Sequence, residues 1–396
     1  MPIKVAFLLG AGVSIPAGLP STVQITEQVL SGAGVIRHTD GNYYFGNPSS
    51  LGDAIGYIPR VVTFLERLKV KVNLYYSHQA GHSTSYEDLY YMATQIYDSE
   101  SGDHDNPAVQ PLIDKILPEI QPLLNGEKFE LRDKWELIEI ASEATHYIRD
   151  IVWHLVAKKP SRLDHLGCIR DACKDNQLSS IDLFTLNHDT VLEQHLSESR
   201  VKVVDGFDRP VNGIRYWNSE LFEGESVRVR LLKLHGSVNW FRFRPHNGDW
   251  SDESIGIPLE WDIWHTRNPK GQGQWPVDGR PMILVGTFNK MLQYTSSIYA
   301  TLHYQLYRAL RQTRHLIVCG YGFADKGINT YIAEWIAGAS EHQIIVIHPK
   351  TEGLRDAARG AIRNKWEELE RLGKLKCIPK KIEDVTWEEI MELGGC

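Results

Sequence analysis

No two cysteines in this sequence form a C-x-x-C pair, and the five present (Cys168, Cys173, Cys319, Cys377 and Cys396) are an odd number. That argues against a disulfide framework and against a structural zinc module built on paired thiolates. It fits a reducing, cytoplasmic setting. Long hydrophobic runs are lacking too. Nothing approaches the roughly 18–20 apolar residues that span a bilayer, and no charged-then-apolar leader opens the chain, so no membrane association is expected. Basic charge is in deficit: 43 Lys and Arg stand against 50 Asp and Glu, for a net charge of −7. Direct nucleic-acid binding therefore has no support from net charge, although "RVRLLK" and "WFRFRPH" concentrate positive charge locally. Internal repeats and low-complexity tracts are also missing. A length of 396 residues allows two or three domain-sized units, or one domain with a large insertion.

What the sequence does contain is a set of short, β-branched runs that do not alternate. They are Ile3–Leu9, Ile181–Leu186, Arg230–Gly236, Met282–Gly286, His315–Gly320 and Gln343–His348. Such runs suit strands covered on both faces, and the glycines that close three of them and directly follow the first suit turns into helices or loops. Helical patterns such as "TVQITEQVLS" and "IYATLHYQLYRALRQ" lie between some of them. The expected fold is therefore α/β, with a Rossmann-like parallel sheet.

Between the first two runs the pattern changes. From 51 to 178 nearly every segment reads helical, and Leu131, Trp135, Ile138, Ala141, Ala144, Ile148, Ile151 and Leu155 form one stripe at three- and four-residue steps. The expected organisation is a Rossmann-like α/β domain of residues 1–50 and 179–396 with a helical insertion at 51–178. A second segment, 240–281, carries Trp250, Trp261, Trp264 and Trp275 among glycines and prolines. It reads as an irregular surface excursion.

The first run ends in Gly10-Ala11-Gly12, followed by Ser14, Gly18 and Pro20. A glycine turn at the C-terminal edge of a sheet lets backbone N–H groups approach a phosphate, or it is simply a tight turn. The dinucleotide pattern G-x-G-x-x-G is broken by Ile15, and no acidic residue ends a second strand at the usual spacing. An ordinary dehydrogenase is disfavoured. Asn187 follows the second run, where it can position a ligand or make an Asx turn. Asp189 can face a ligand or cap the helix after it, and His188 reads as a surface histidine or a supporting one. His235 closes the third run ahead of Gly236, and an imidazole there can serve as a general base.

Taken together, four segments resemble the sirtuin family. "GAGVSIPAGLP" is similar to its NAD-binding segment, "TLNHDTVLE" to its T-Q-N-I-D motif, "LKLHGSVNW" carries its H-G-S, and "VCGYGFADKGIN" resembles its G-[TS]-S turn. The zinc module of sirtuin deacylases is missing, and their Asp-Phe-Arg is replaced by Ser21-Thr22-Val23. The pattern looks more like the bacterial sirtuin-type effectors that hydrolyse NAD in response to phage, closest to the kind encoded beside a HerA-type ATPase. The resemblance implies NAD+ as substrate, no further cofactor and no metal. It implies Asn187, His235 and Asp189 at the reacting end, and Gly10, Ala11, Gly12, Ser14, Gly18 and Pro20 around the phosphates. Gly320, Tyr321, Gly322 and Phe323 would cradle the adenosine side, with Asp325 and Asn329 at the ribose or capping a helix, and His348 near adenine. A homo-oligomer with a HerA-type partner is expected. A protein deacylase, an ADP-ribosyl transferase, or an NAD- or ADP-ribose-sensing subunit of a nuclease–ATPase complex stand as alternatives.

Overall fold

The computed structural model describes residues 3–46, 56–77, 83–103, 106–126, 134–224 and 227–395. Leu131 and Cys396, both weighed above, lie outside them. The chain divides into two compact units, one of Met1–Leu19, Lys159–Leu284 and Gln293–Cys396, the other of Pro20–Lys158 and Val285–Leu292.

The first unit is built on a six-stranded sheet, numbered here in chain order: β1 (Ile3–Leu9), β2 (Leu178–Thr185), β3 (Val229–Lys233), β4 (His315–Cys319), β5 (Gln343–Ile347) and β6 (Leu375–Ile378). Every pairing is parallel, in the order β6-β5-β4-β1-β2-β3. This is the doubly wound order, and its direction reverses between β1 and β4, where a ligand crevice is expected. The register sets the site. Leu9 stands opposite both Cys319 and Thr185, and Thr185 stands opposite Lys233. Gly10, Gly320, Asn187 and His235 therefore all leave the sheet at one edge. Beneath them lies a core that includes Phe7, Leu9, Ile181, Leu183, Leu231, Ile317 and Ile345. Parallel strands buried on both faces need such residues, which is why the runs were visible in the sequence.

Three features depart from the sequence reading. The run Met282–Gly286 is not a strand of the sheet; Ile283 makes an isolated antiparallel bridge to Gly236. The sixth strand is Leu375–Ile378 instead, half-exposed along its middle. The segment expected to be irregular contributes to a five-stranded antiparallel sheet, ordered Ile214–Tyr216, Ser254–Pro258, Phe241–Pro245, Gly273–Pro276 and Thr266–Arg267.

The second unit is helical. Leu137–Val156 is the longest-buried element, with Ile140, Ala141, Ala144, Tyr147, Ile148, Ile151, Val152 and Leu155 turned inward. Thr22–Ser31, capped by a reciprocal Ser21–Gln24 box, belongs with it: the Tyr147 hydroxyl donates to Val29 O at 2.8 Å. The hairpin Val35–Arg37 and Tyr43–Phe45 is bound to the same helix by Asp150, which accepts the Tyr43 N–H at 2.9 Å, and by a bidentate Arg37–Glu143 pair at 3.0 and 2.7 Å. These bonds draw residues 20–46 into the helical unit, where the sequence reading began its insertion at 51. At the other boundary, Cys168, Ile169, Ala172 and Cys173 of helix Gly167–Lys174 are buried in the core under the sheet. Among the described residues, no helix is long and apolar enough to cross a membrane.

Candidate active site at the sheet edge

The two glycine turns lie backbone to backbone. Gly10 N donates to Cys319 O at 3.0 Å and Gly12 N to Gly320 O at 2.9 Å. A Cβ on Gly12 would stand 2.6 Å from the Gly320 Cα, closer than side-chain carbons approach one another. The glycines of the first turn are thus required by the second turn. Their two N–H groups are spent on it. Phe323 continues the second turn at φ +50°, an uncommon conformation for a non-glycine residue. Its carbonyl accepts from Asn329 Nδ2 at 2.8 Å and from Arg359 N at 2.9 Å. Asn329 is fully buried; its Oδ1 accepts the Tyr321 hydroxyl at 2.9 Å. Tyr321, Phe323 and Asn329 hold the shape of the turn through these contacts. A cavity of about 440 Å³ lies beside it, walled in part by Gly12, Gly320, Tyr321, Gly322 and His348. His348 is half-buried, its Nδ1 3.0 Å from Lys350 N, and burial holds its imidazole below the usual range.

Asn187 sits against the first turn. Its Nδ2 donates to Gly10 O at 3.1 Å and to Ser14 Oγ at 2.9 Å. Because a carbonyl only accepts, this contact fixes the amide's orientation. Both side-chain N–H bonds are spent, so Oδ1, an acceptor, is what the amide can offer a ligand. Asp189 accepts the Val191 N–H at 2.9 Å, an Asx turn that leads into helix Val191–Glu198, whose N-cap is Thr190. Lys233 holds this loop: its Nζ donates to Asp189 O and pairs with Glu193 at 2.8 Å. Gly18 follows Ser14 in the same unit, at φ +84°, whereas Pro20 belongs to the helical unit.

His235 lies in a cluster that the sequence did not reveal. Its Nε2 is 3.1 Å from the Tyr294 hydroxyl and 3.3 Å from Asp325 Oδ2, and the Tyr294 hydroxyl is 2.7 Å from the same carboxylate oxygen. The other oxygen, Oδ1, accepts the Ile328 N–H at 3.0 Å and caps helix Lys326–Gly338. Asp325, expected at the ribose or as a cap, is therefore a cap that also holds His235. A carboxylate only accepts, so Tyr294 donates to it, and the Tyr294 oxygen is left to accept from His235 Nε2. The ring proton then sits on Nε2 and the basic nitrogen is Nδ1. His303 stacks on Tyr294 with centroids 3.7 Å apart. Burial pushes its pKa down to about 3, with the nearby His235 adding to the effect. The turn at Gly236 is as constrained as the others: φ is +81°, and a Cβ would lie 2.0 Å from Met282 O. The His188 ring lies 6.4 Å from that of His235, and His188 O accepts from Val238 N at 2.9 Å.

The sheet and this edge define a Rossmann-like α/β protein with an Asn–Ser pair and a His–Tyr–Asp cluster at its strand ends. Residues 182–370 match the family model described as a SIR2-like domain, a span that holds Asn187, His235, Tyr294 and Asp325. Among solved structures, the chain is similar to a Sir2 homologue in complex with NAD, with 12% identity over 98% of this chain and 89% of that one and a TM-score of 0.37. It is also similar to Sir2 in complex with an inhibitor, 2′-O-acetyl-ADP-ribose and a deacetylated peptide, with 10% identity over 99% and 94% and a TM-score of 0.36. No curated protein matches the chain. Among the described residues, no three His, Cys, Asp or Glu side chains are grouped to hold a metal ion.

Proposed function

We propose that this chain is a cytoplasmic NAD+ glycohydrolase. It would break the bond between nicotinamide and ribose, transfer the ribosyl carbon to water, and release nicotinamide, ADP-ribose and a proton. Nicotinamide leaves as a neutral amine, so the reaction passes through an oxocarbenium-like centre and requires no cofactor beyond its substrate. His235 Nδ1 takes the proton from water or from a ribose hydroxyl. The imidazolium that forms is stabilised through Nε2–H by Tyr294 and the Asp325 carboxylate. Asn187 Oδ1 accepts a hydrogen bond from the attacking water or a ribose hydroxyl and fixes its direction. Asp189 keeps its turn and supports the loop that carries Asn187.

The observation that carries this reading is the bonded set His235–Tyr294–Asp325, on the same sheet edge as the Asn187–Ser14 pair. The resemblance supplies the setting: NAD+ depletion in anti-phage defence, in a homo-oligomer partnered by a HerA-type ATPase. The four tryptophans Trp250, Trp261, Trp264 and Trp275 are exposed, and exposed aromatic rings suit the core of a protein interface. Nicotinamide release from NAD+ by the purified chain, alone and with a HerA-type ATPase, tests the reading. Release that disappears in His235→Ala supports it, and an intact NAD+ pool under both conditions refutes it.

A further inference from the structure

Residues Val285–Leu292 belong to the helical unit, while Leu284 before them and Gln293 after them belong to the first unit. Both ends of this excursion are bonded to His235. Ahead of it, Leu284 N donates to His235 O at 2.8 Å. Behind it stands Tyr294, whose hydroxyl is 3.1 Å from His235 Nε2 and 2.7 Å from Asp325 Oδ2. Tyr294 directly follows helix Phe288–Gln293, so a turn of that short helix carries the phenol with it.

Within the helical unit the excursion is held by an ion pair. Lys290 Nζ lies 2.7 Å from Glu87 Oε1, and the Lys290 side chain is only 5% exposed. A buried ammonium is costly unless it is paired, so Lys290 stays where Glu87 is. Glu87 is fixed in its turn. It lies in the first turn of helix Tyr86–Ser101, whose start is closed by a reciprocal Ser85–Asp88 box and by the Tyr86 N–H, donated to Thr26 Oγ1 at 2.9 Å. Phe288 packs edge-on to Tyr91 of the same helix, with centroids 6.4 Å apart. An apolar residue would fill the Lys290 position at less cost, whereas an ion pair fixes one register of the helix that carries it.

We propose that Lys290 is a positioning residue for His235, acting through Tyr294. With the Lys290–Glu87 pair made, helix Phe288–Gln293 holds the phenol on His235 and Asp325. With the pair broken, the helix is free to turn and the phenol leaves. The helical unit thereby regulates the site, because whatever displaces Glu87 releases Tyr294. The coupling follows from the geometry of this segment, and its control of NAD+ cleavage rests on the reading above.

Lys290→Met in the full chain tests this. Met keeps most of the buried length without the charge, and Glu87, 27% exposed, can turn to water. Nicotinamide release is expected to fall by roughly 10–100-fold, with ADP-ribose affinity in calorimetry unchanged. In proton NMR the His235 Nε2–H signal, assigned through His235→Gln, is expected to shift and broaden as its acceptor leaves. Tyr294→Phe is expected to cost a similar factor, and Lys290→Met to add little to it, because both act on one bond. An unmoved His235 signal or wild-type turnover in a folded Lys290→Met variant overturns the inference. So does a loss that multiplies in full with that of Tyr294→Phe, the mark of a merely structural role. A wild type that releases no nicotinamide refutes the NAD+ reading instead, and the His235 signal alone then decides the coupling. Should Lys290→Met not fold, Glu87→Gln, which keeps an acceptor and loses the charge, is expected to give the same changes in smaller measure, and their absence overturns the inference.

Discussion

Replacing Asp325 by Asn separates the fold from the proposed chemistry. In the wild type, Oδ1 caps a helix through Ile328 N at 3.0 Å while Oδ2 takes the Tyr294 hydroxyl at 2.7 Å and lies 3.3 Å from His235 Nε2. Asn caps helices about as well as Asp, so its oxygen can keep the Ile328 bond. Its amide nitrogen then stands where Oδ2 was, and it donates. Tyr294 must turn to accept from it and donate to His235 Nε2 instead, which moves the ring proton to Nδ1. Every polar group stays satisfied, so stability should change by no more than about 1 kcal/mol. The base, however, is lost. Turnover should fall by roughly 10²–10⁴-fold, and His235→Ala should add little to Asp325→Asn, because the two act as one unit. Thermal unfolding and nicotinamide release measured on the same preparations check both halves. A folded Asp325→Asn variant with near-wild-type turnover would refute the orientation argument and the assignment of Nδ1.

Asn187→Ala removes the bonds to Gly10 O and Ser14 Oγ, which should cost about 1–3 kcal/mol in urea titrations and abolish turnover; retained activity would remove Asn187 from the mechanism. Gly236→Ala forces a Cβ to within 2.0 Å of Met282 O at φ +81°. It should destabilise by more than about 2 kcal/mol, and an unshifted melting transition would contradict the turn geometry. His303, with its pKa depressed to about 3 from an ordinary 6.5, is neutral in the fold, whereas the unfolded chain gains a proton as pH falls through 6.5. Its contribution to stability is therefore full above 6.5 and is lost as pH falls from there toward 3, with a slope of at most about 1.4 kcal/mol per pH unit. His303→Phe should flatten that acid limb in denaturation midpoints measured against pH, and an unchanged limb would assign it to another group.

Five of the six strands were legible because burial on both faces leaves an apolar, β-branched run with nothing to disguise it. Met282–Gly286 misled for the same reason: Ile283, Leu284 and Val285 are buried, yet Ile283 bridges to Gly236 and Leu284 N donates to His235 O instead of joining a ladder. Leu375–Ile378 escaped notice because it is an edge strand of four residues, with Lys376 and Cys377 half-exposed. The antiparallel sheet was hidden by strands of two to five residues rich in glycine and proline. At the site, residues within motifs could be named from sequence, but Tyr294 and His303 belong to none. They reach His235 by the packing of helix Ser297–Leu310 and the turn before it, a tertiary fact with no local signature.

The central claim is that His235, oriented by Tyr294 and Asp325, directs water to the ribose of NAD+. Quantitative product analysis after incubating NAD+ with the purified chain, alone and with a HerA-type ATPase, in the presence of an acylated peptide, tests it most directly. The account predicts nicotinamide and free ADP-ribose in equal amounts, an unmodified peptide, and no products with His235→Ala. O-acyl-ADP-ribose with a deacylated peptide, or undiminished products with His235→Ala, would contradict it.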